Sequence, residues 1–93
     1  MKFPLTTHWY NKILSGEKTH EYRVHNKYWT VRVNNLEIGD VITFSKGYSK
    51  TRLIRIVTGI QYMSLGRLKN TDEEVYEFMK DKGYSFWQIN FKE

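Results

Sequence analysis

The sequence predicts a small, curved α+β barrel with two or three short helices, and three observations carry that expectation. Several segments alternate polar and apolar residues or are rich in β-forming side chains. Two short stretches carry helix start and stop signals, and a glycine at position 59 interrupts the longest strand, as residues that curl sheets do. Ninety-three residues supply one core, so 1–93 is read as a single domain whose site is a shallow cleft.

The elements follow in order. Thr6 or Thr7 is placed to cap a short helix in which Trp9 pairs with Ile13 and Tyr10 with Leu14, before Gly16 ends it. Residues 19–25, THEYRVH, alternate: Thr19, Glu21, Arg23 and His25 on one face, His20, Tyr22 and Val24 on the other, giving a strand with one polar face. Residues 28–33, YWTVRV, are β-formers in a short run bounded by Asn26 and Asn34, and the local pattern leaves strand and helix open. Ile38, Gly39 and Asp40 read as a turn before a strand over 41–45, and Lys46, Gly47, Tyr48 and Ser49 as a loop. A long strand over 52–63 places Arg52 and Arg55 on opposite faces. Thr71 to Glu74 matches the capping box S/T-x-x-E and opens a helix with Val75, Phe78 and Met79 on one face and Gly83 past its end. Residues 84–92 read as a half-buried closing strand, with Trp87, Ile89 and Phe91 packed and Gln88, Asn90 and Lys92 pointing the other way.

Composition narrows the function classes. A chain 40% hydrophobic and 16% aromatic is expected to fold. No apolar run approaches a membrane span and the opening MKFPLTTHWY lacks the apolar core of a signal peptide, so a cytoplasmic protein away from membranes is expected. The absence of cysteine excludes disulfides, thiolate zinc sites and cysteine nucleophiles. His8, His20 and His25 form no H-x-x-x-H pair and no serine sits in a nucleophile elbow, so neither a metal nor a cofactor is expected. The net charge of +5 suits an anionic partner, and it is uneven: residues 1–60 hold ten Lys/Arg against four Asp/Glu, residues 61–93 five against six.

The chemistry concentrates in residues 16–23, GEKTHEYR. Period-two geometry puts Glu21 and Arg23 on one strand face with Lys18 in the turn before it, so the three are placed to surround one cleft. Arg23 offers a planar fork to phosphate or a base edge, and Glu21 can orient it or accept from an exocyclic amine. A nearby Arg23 and partial burial would disfavour the ammonium form of Lys18, the route by which a lysine becomes a general base. A surface ion pair beside a solvated lysine is the plainer reading of the same residues. Both stand at this point.

The pattern G-x-K-x-x-E-x-R, carried by Gly16, Lys18, Glu21 and Arg23, resembles the signature of the ASCH domain family, a branch of the PUA-like β-barrels. The ILSG that ends the first helix, YWTVR, the LEIGD turn and the closing FWQINF are similar too, so the resemblance covers nearly the whole chain. It implies a PUA-like barrel with a cleft beside the first helix, a role in RNA binding or RNA-linked processing, and a short helix over 28–33. One branch of the family hydrolyses N4-acetylcytidine with a lysine, a threonine and a distant glutamate. Lys18 matches the lysine, whereas Glu21 stands in place of the threonine, and Glu73, Glu74 and Glu77, inside the capped helix, offer no match for the glutamate. Some relatives have been proposed to be ribonucleases, for which this sequence holds no metal-ligand cluster.

The leading expectation is therefore a binding module for single-stranded RNA or a nucleoside or nucleotide. Its expected contacts are Gly16, Lys18, Glu21 and Arg23, with Tyr28, Trp29 and Arg32 and the loop residues Lys46 and Tyr48 stacking on bases and holding phosphates. The alternative is a small hydrolase acting on a modified nucleoside or RNA, with Lys18 as base or nucleophile and Glu21 relaying a proton. A basic face that binds an acidic protein is a third reading. An exposed edge strand would allow pairing into a dimer.

Overall fold

The computed structural model describes residues 1–93, in the order β1 (Lys2–Leu5), α1 (Thr7–Leu14), β2 (His20–Val24), α2 (Lys27–Asn34), β3 (Val41–Lys46), β4 (Arg52–Ser64), α3 (Leu65–Thr71), α4 (Glu73–Met79) and β5 (Ser85–Lys92). The five strands form one curled sheet in the order β1-β3-β4-β5-β2, a half-barrel whose end strands β1 and β2 share no ladder. All neighbours run antiparallel except β1 and β3, which are parallel. The α+β class and the curved sheet expected from the sequence are present, with four helices rather than two or three and an open seam where closure was expected.

Both faces of the sheet carry a core. On the concave face Phe3, Ile42, Phe44, Val57, Ile89 and Phe91 pack beneath Tyr10 and Ile13 of α1 and Val33 of α2. On the convex face Tyr22, Met63 and Phe86 pack against Leu68, Val75 and Met79 of the α3–α4 pair. This second layer corrects the half-buried reading of the last strand. β5 lies inside the sheet, and Gln88, expected to face water, is buried on the face that packs against α3 and α4. Gly59 does mark the irregularity in β4: the register shifts between Val57 and Gly59, and a Cβ there would lie 3.2 Å from the Asn90 side chain.

Local chemistry explains the remaining departures. Asn26 accepts from the Trp29 N–H at 2.9 Å and caps residues 27–34 as a helix, which resolves the ambiguous segment as the family resemblance implied. The cap of α4 is Asp72, accepting from Val75 N–H at 3.1 Å, and not Thr71. Thr71 is taken up by the end of α3, where its hydroxyl donates to the Arg67 carbonyl. α3 escaped the sequence reading because Gly66 and Asn70 weaken its helical pattern; Ser64 starts it by accepting from Arg67 N–H. β1 escaped because it is four residues long and contains Pro4, which a strand tolerates at an edge.

The seam stays open for a chemical reason. Thr19 accepts from Phe91 N–H and His25 donates to the Ser85 carbonyl, so the odd-numbered residues of β2 bond to β5 and Tyr22 presents its backbone to the free edge. That edge N–H is taken by the Glu21 carboxylate, Oε1 accepting at 2.8 Å. Across the seam Met1 and Leu5 accept from Thr43 and Gly47, leaving Pro4 to face the gap with no N–H to donate. Two edges that could have paired are thereby blocked.

Candidate functional site

An apolar cleft of about 270 Å³ lies in this seam and wraps the free edge of β2. β2 lines it from both faces, with Glu21 and Arg23 on the concave side and Tyr22 and Val24 on the convex side. β1 contributes Pro4 and Leu5, α1 Trp9, α2 Trp29, and α4 Val75, Phe78 and Met79, with Lys82 just beyond.

Gly16 places the lysine. At φ +84° it holds a left-handed conformation that ends α1, its N–H donating to the Ile13 carbonyl, and the chain turns so that Lys18 N–H bonds back to Lys12. The Lys18 ammonium then lies 4.8 Å from the Trp9 ring centroid and 5.1 Å from that of Tyr22. Burial lowers its pKa from the ordinary lysine value against the attraction of Glu21 and Asp72, and Arg23 adds to the lowering. Burial likewise pushes the Tyr22 phenol up to about 12, with Asp72 and Glu21 adding to the rise.

Arg23 bridges the seam. Its guanidinium lies 4.8 Å from the Phe3 centroid in β1 and 4.7 Å from that of Trp29 in α2, and its Nη2 donates to Glu21 Oε2 at 3.4 Å. The Arg23 Nε and the Tyr22 hydroxyl are buried with no hydrogen-bond partner in the protein.

Lys18 and Trp9 also form one wall of a polar hollow of about 340 Å³ that holds Lys12, Glu17, His20, Asp72 and Glu74. Glu74 is held there by Lys12 and His8; these partners lower its pKa, and Glu74 and Glu17 raise that of Lys12. No group of three or more His, Asp or Glu side chains is placed to hold a metal ion, and no helix is long and apolar enough to cross a membrane.

Of the expected contacts, Lys18, Glu21, Arg23 and Trp29 line the cleft, and Gly16 shapes its entrance without lining it. Tyr28, Arg32, Lys46 and Tyr48 lie outside. Arg32 covers the Tyr28 ring at 3.4 Å, Lys46 reaches the Tyr10 ring at 6.0 Å, and Tyr48 is 97% exposed at the tip of the β3–β4 hairpin. Trp9, Phe78 and Lys82 were not expected. Trp9 flanks the buried stripe of Tyr10 and Ile13 and packs against both cores, so an aromatic one step off the stripe, close before the signature, was the available signal. Phe78 meets Trp9 edge-on at 5.6 Å. It and Lys82 arrive from 55 or more residues downstream, where no local pattern points to the cleft.

No protein-family model matches the sequence, and no curated protein matches it. Solved structures do match. An ASCH protein from Zymomonas mobilis superposes with a TM-score of 0.74 at 13% identity, over 99% of this chain and 66% of that one, so this chain spans just under two thirds of its length. A single-residue variant of the same protein gives 0.75 at 14% identity, over 99% of this chain and 68% of that one. The hypothetical protein PH0355 superposes with a TM-score of 0.70 at 19% identity, over 98% of this chain and 95% of that one. A five-stranded half-barrel with helices on both faces, matched nearly end to end, gives this chain the fold of the ASCH domain proteins.

Proposed function

We propose that residues 1–93 act as a cytoplasmic domain that binds single-stranded RNA or a nucleotide in the seam cleft. The observation that carries this reading is the pairing of cations with aromatic rings at one cleft: Arg23 against Trp29 and Phe3, Lys18 against Trp9 and Tyr22. Trp9 and Trp29, partly exposed in the cleft, offer stacking surfaces to an unpaired base while the cations meet phosphate or base-edge acceptors. A cleft of about 270 Å³ suits one base or nucleoside, not a duplex. The test is an amide NMR titration with a short mixed-sequence single-stranded RNA at two salt concentrations. Saturable shifts on residues 18–24, Trp9 and Trp29, weakened by salt and several-fold weaker in Lys18→Ala or Arg23→Ala, are expected. Shifts absent from these residues would overturn the reading.

One observation favours a second reading, hydrolysis of an N4-acylated cytidine: burial lowers the Lys18 pKa, bringing it towards the range of a general base. In that reaction Lys18 takes the proton of a water whose oxygen attacks the acyl carbon, and returns it to the exocyclic nitrogen as the C–N bond breaks. Glu21 is a positioning group, because its two oxygens are engaged by Tyr22 N–H and Arg23. Release of acetate from N4-acetylcytidine, lost in Lys18→Ala, is the expected outcome. No release above background would end this reading.

A further inference from the structure

α3 and α4 cover only part of the convex sheet face. Over β1, β3 and the first half of β4 that face is bare. The ladder sets Lys2, Thr43 and Ile54 side by side in one row and Val41, Ile56 and Lys92 in the next, with Arg52 at the end of β4 beside Ser45. Val41 is 55% exposed and Ile54 59%, and Ile56 between them is half-buried. Three aliphatic side chains thus form a flat apolar strip with Lys2 on one flank, Lys92 on the other and Arg52 at one end.

None of those three cations forms an ion pair; like most Lys and Arg of the chain they lie outside the pairs of Lys12, Arg23, Arg55 and Lys80. The imbalance extends along the chain, since residues 41–71 contain six Lys/Arg and no Asp or Glu. An apolar centre with a rim of one charge sign is the anatomy of a protein interface. Its flat β-branched surface gives no aromatic ring for a base to stack on, and no protruding side chain to enter a lipid layer.

We propose that this bare half of the convex face docks an acidic amphipathic helix of another protein. The occupant follows from the neighbouring half, where the sheet is already covered by helices that place Leu68, Val75 and Met79 on it. Apolar residues of the incoming helix cover Val41, Ile54 and Ile56, and flanking carboxylates meet Lys2, Arg52 and Lys92. A second copy of this chain is disfavoured, because a two-fold contact would bring the cationic rims together.

The test uses the full chain, isotope-labelled, and three synthetic probes: a helical peptide with leucine at i, i+3, i+4 and i+7 and glutamate flanking, the same peptide with lysine for glutamate, and a short single-stranded RNA. The acidic peptide is expected to shift the amides of residues 41–43, 54–56 and Lys92 saturably. Its affinity should fall at least tenfold in Ile54→Asp and several-fold in Arg52→Glu. Because Ile54 is exposed, both variants should keep the parent spectrum elsewhere, which separates loss of docking from loss of fold. Three results would each overturn the proposal: no shift with the acidic peptide, equal binding of the lysine peptide, or shifts on this face from the RNA alone. None of them depends on whether the seam cleft binds RNA.

Discussion

Glu21 and Arg23 share the concave face of β2 with Nη2 and Oε2 3.4 Å apart, at side-chain exposures of 8% and 19%. A carboxylate so placed depends on its partner, since removing one member of a largely buried pair leaves the other uncompensated. Arg23→Ala should therefore lower stability by about 2 kcal/mol. Adding Glu21→Gln to Arg23→Ala should recover part of that loss. Urea unfolding of the parent, both single variants and the double variant measures the coupling; strictly additive losses would show that the pair contributes nothing beyond its separate parts.

Tyr22 makes the opposite prediction. Its hydroxyl is buried among Met63, Leu68 and Phe86 with no partner, so Tyr22→Phe removes an unsatisfied polar atom and keeps the ring. The variant should be as stable as the parent at neutral pH or more so, by up to about 1 kcal/mol. With the native pKa raised to about 12 against the ordinary 10, the folded phenol keeps its proton where the unfolded one has lost it. Stability from this group therefore falls as pH rises from 10 towards 12, and Tyr22→Phe should flatten that fall. A marked loss of stability at neutral pH would mean that the hydroxyl has a partner in solution.

What was legible in the sequence is what local chemistry writes. The signature fixed the turn and strand that carry Lys18, Glu21 and Arg23, because glycine conformation and two-residue alternation act within eight residues. Asn26 marked the start of α2, although only the family resemblance turned that mark into a helix. The convex layer was not legible. Alternation in β5 read Gln88 as the uncovered side of a half-buried strand, and nothing near it announces that α3 and α4 pack against that face of the sheet. The cleft wall formed by Phe78 and Lys82 is hidden for the same reason. Tyr48 and Lys46 show the converse limit, since a basic, aromatic, glycine-containing loop reads the same wherever the fold puts it, and here it lies outside the cleft.

The two ways of capping α4 separate cleanly by mutation. Asp72 accepts from Val75 N–H, while the Thr71 hydroxyl donates back into α3. Asp72→Ala should destabilise by about 1 kcal/mol, and Thr71→Ala by less. Urea midpoints of the two variants decide it; the reverse order would restore the capping box suggested by the sequence.

Gly16 faces open space, with nothing within 4 Å of where a Cβ would stand, so its value is its backbone angle alone. Gly16→Ala should cost about 1–2 kcal/mol of stability, the penalty for a left-handed conformation. Gly16→Asn, which tolerates that region better, should cost less. Since Lys18 N–H bonds to Lys12 only after this turn, Gly16→Ala should also shift the Lys18 and Trp9 resonances. Equal stability of the alanine variant and the parent would show that the turn relaxes.

Lys18 gives the site its clearest pH signature. Burial lowers its native pKa below the ordinary 10.5, because the folded chain solvates the lysine charge less well than the unfolded chain does. Below the native pKa that penalty is present in full. Between the native pKa and 10.5 the unfolded chain binds the proton that the folded chain has released, so the Lys18 contribution rises with pH across that window. Lys18→Met keeps much of the apolar stem and removes the charge. It should therefore be more stable than the parent at neutral pH, with the difference shrinking as pH climbs towards 10.5. Comparing parent and variant at each pH cancels the alkaline loss due to Tyr22, which both chains share. A difference that stays constant over this range would mean that Lys18 titrates like a solvated lysine. The general-base reading would then lose its support, while a charged contact to RNA would remain.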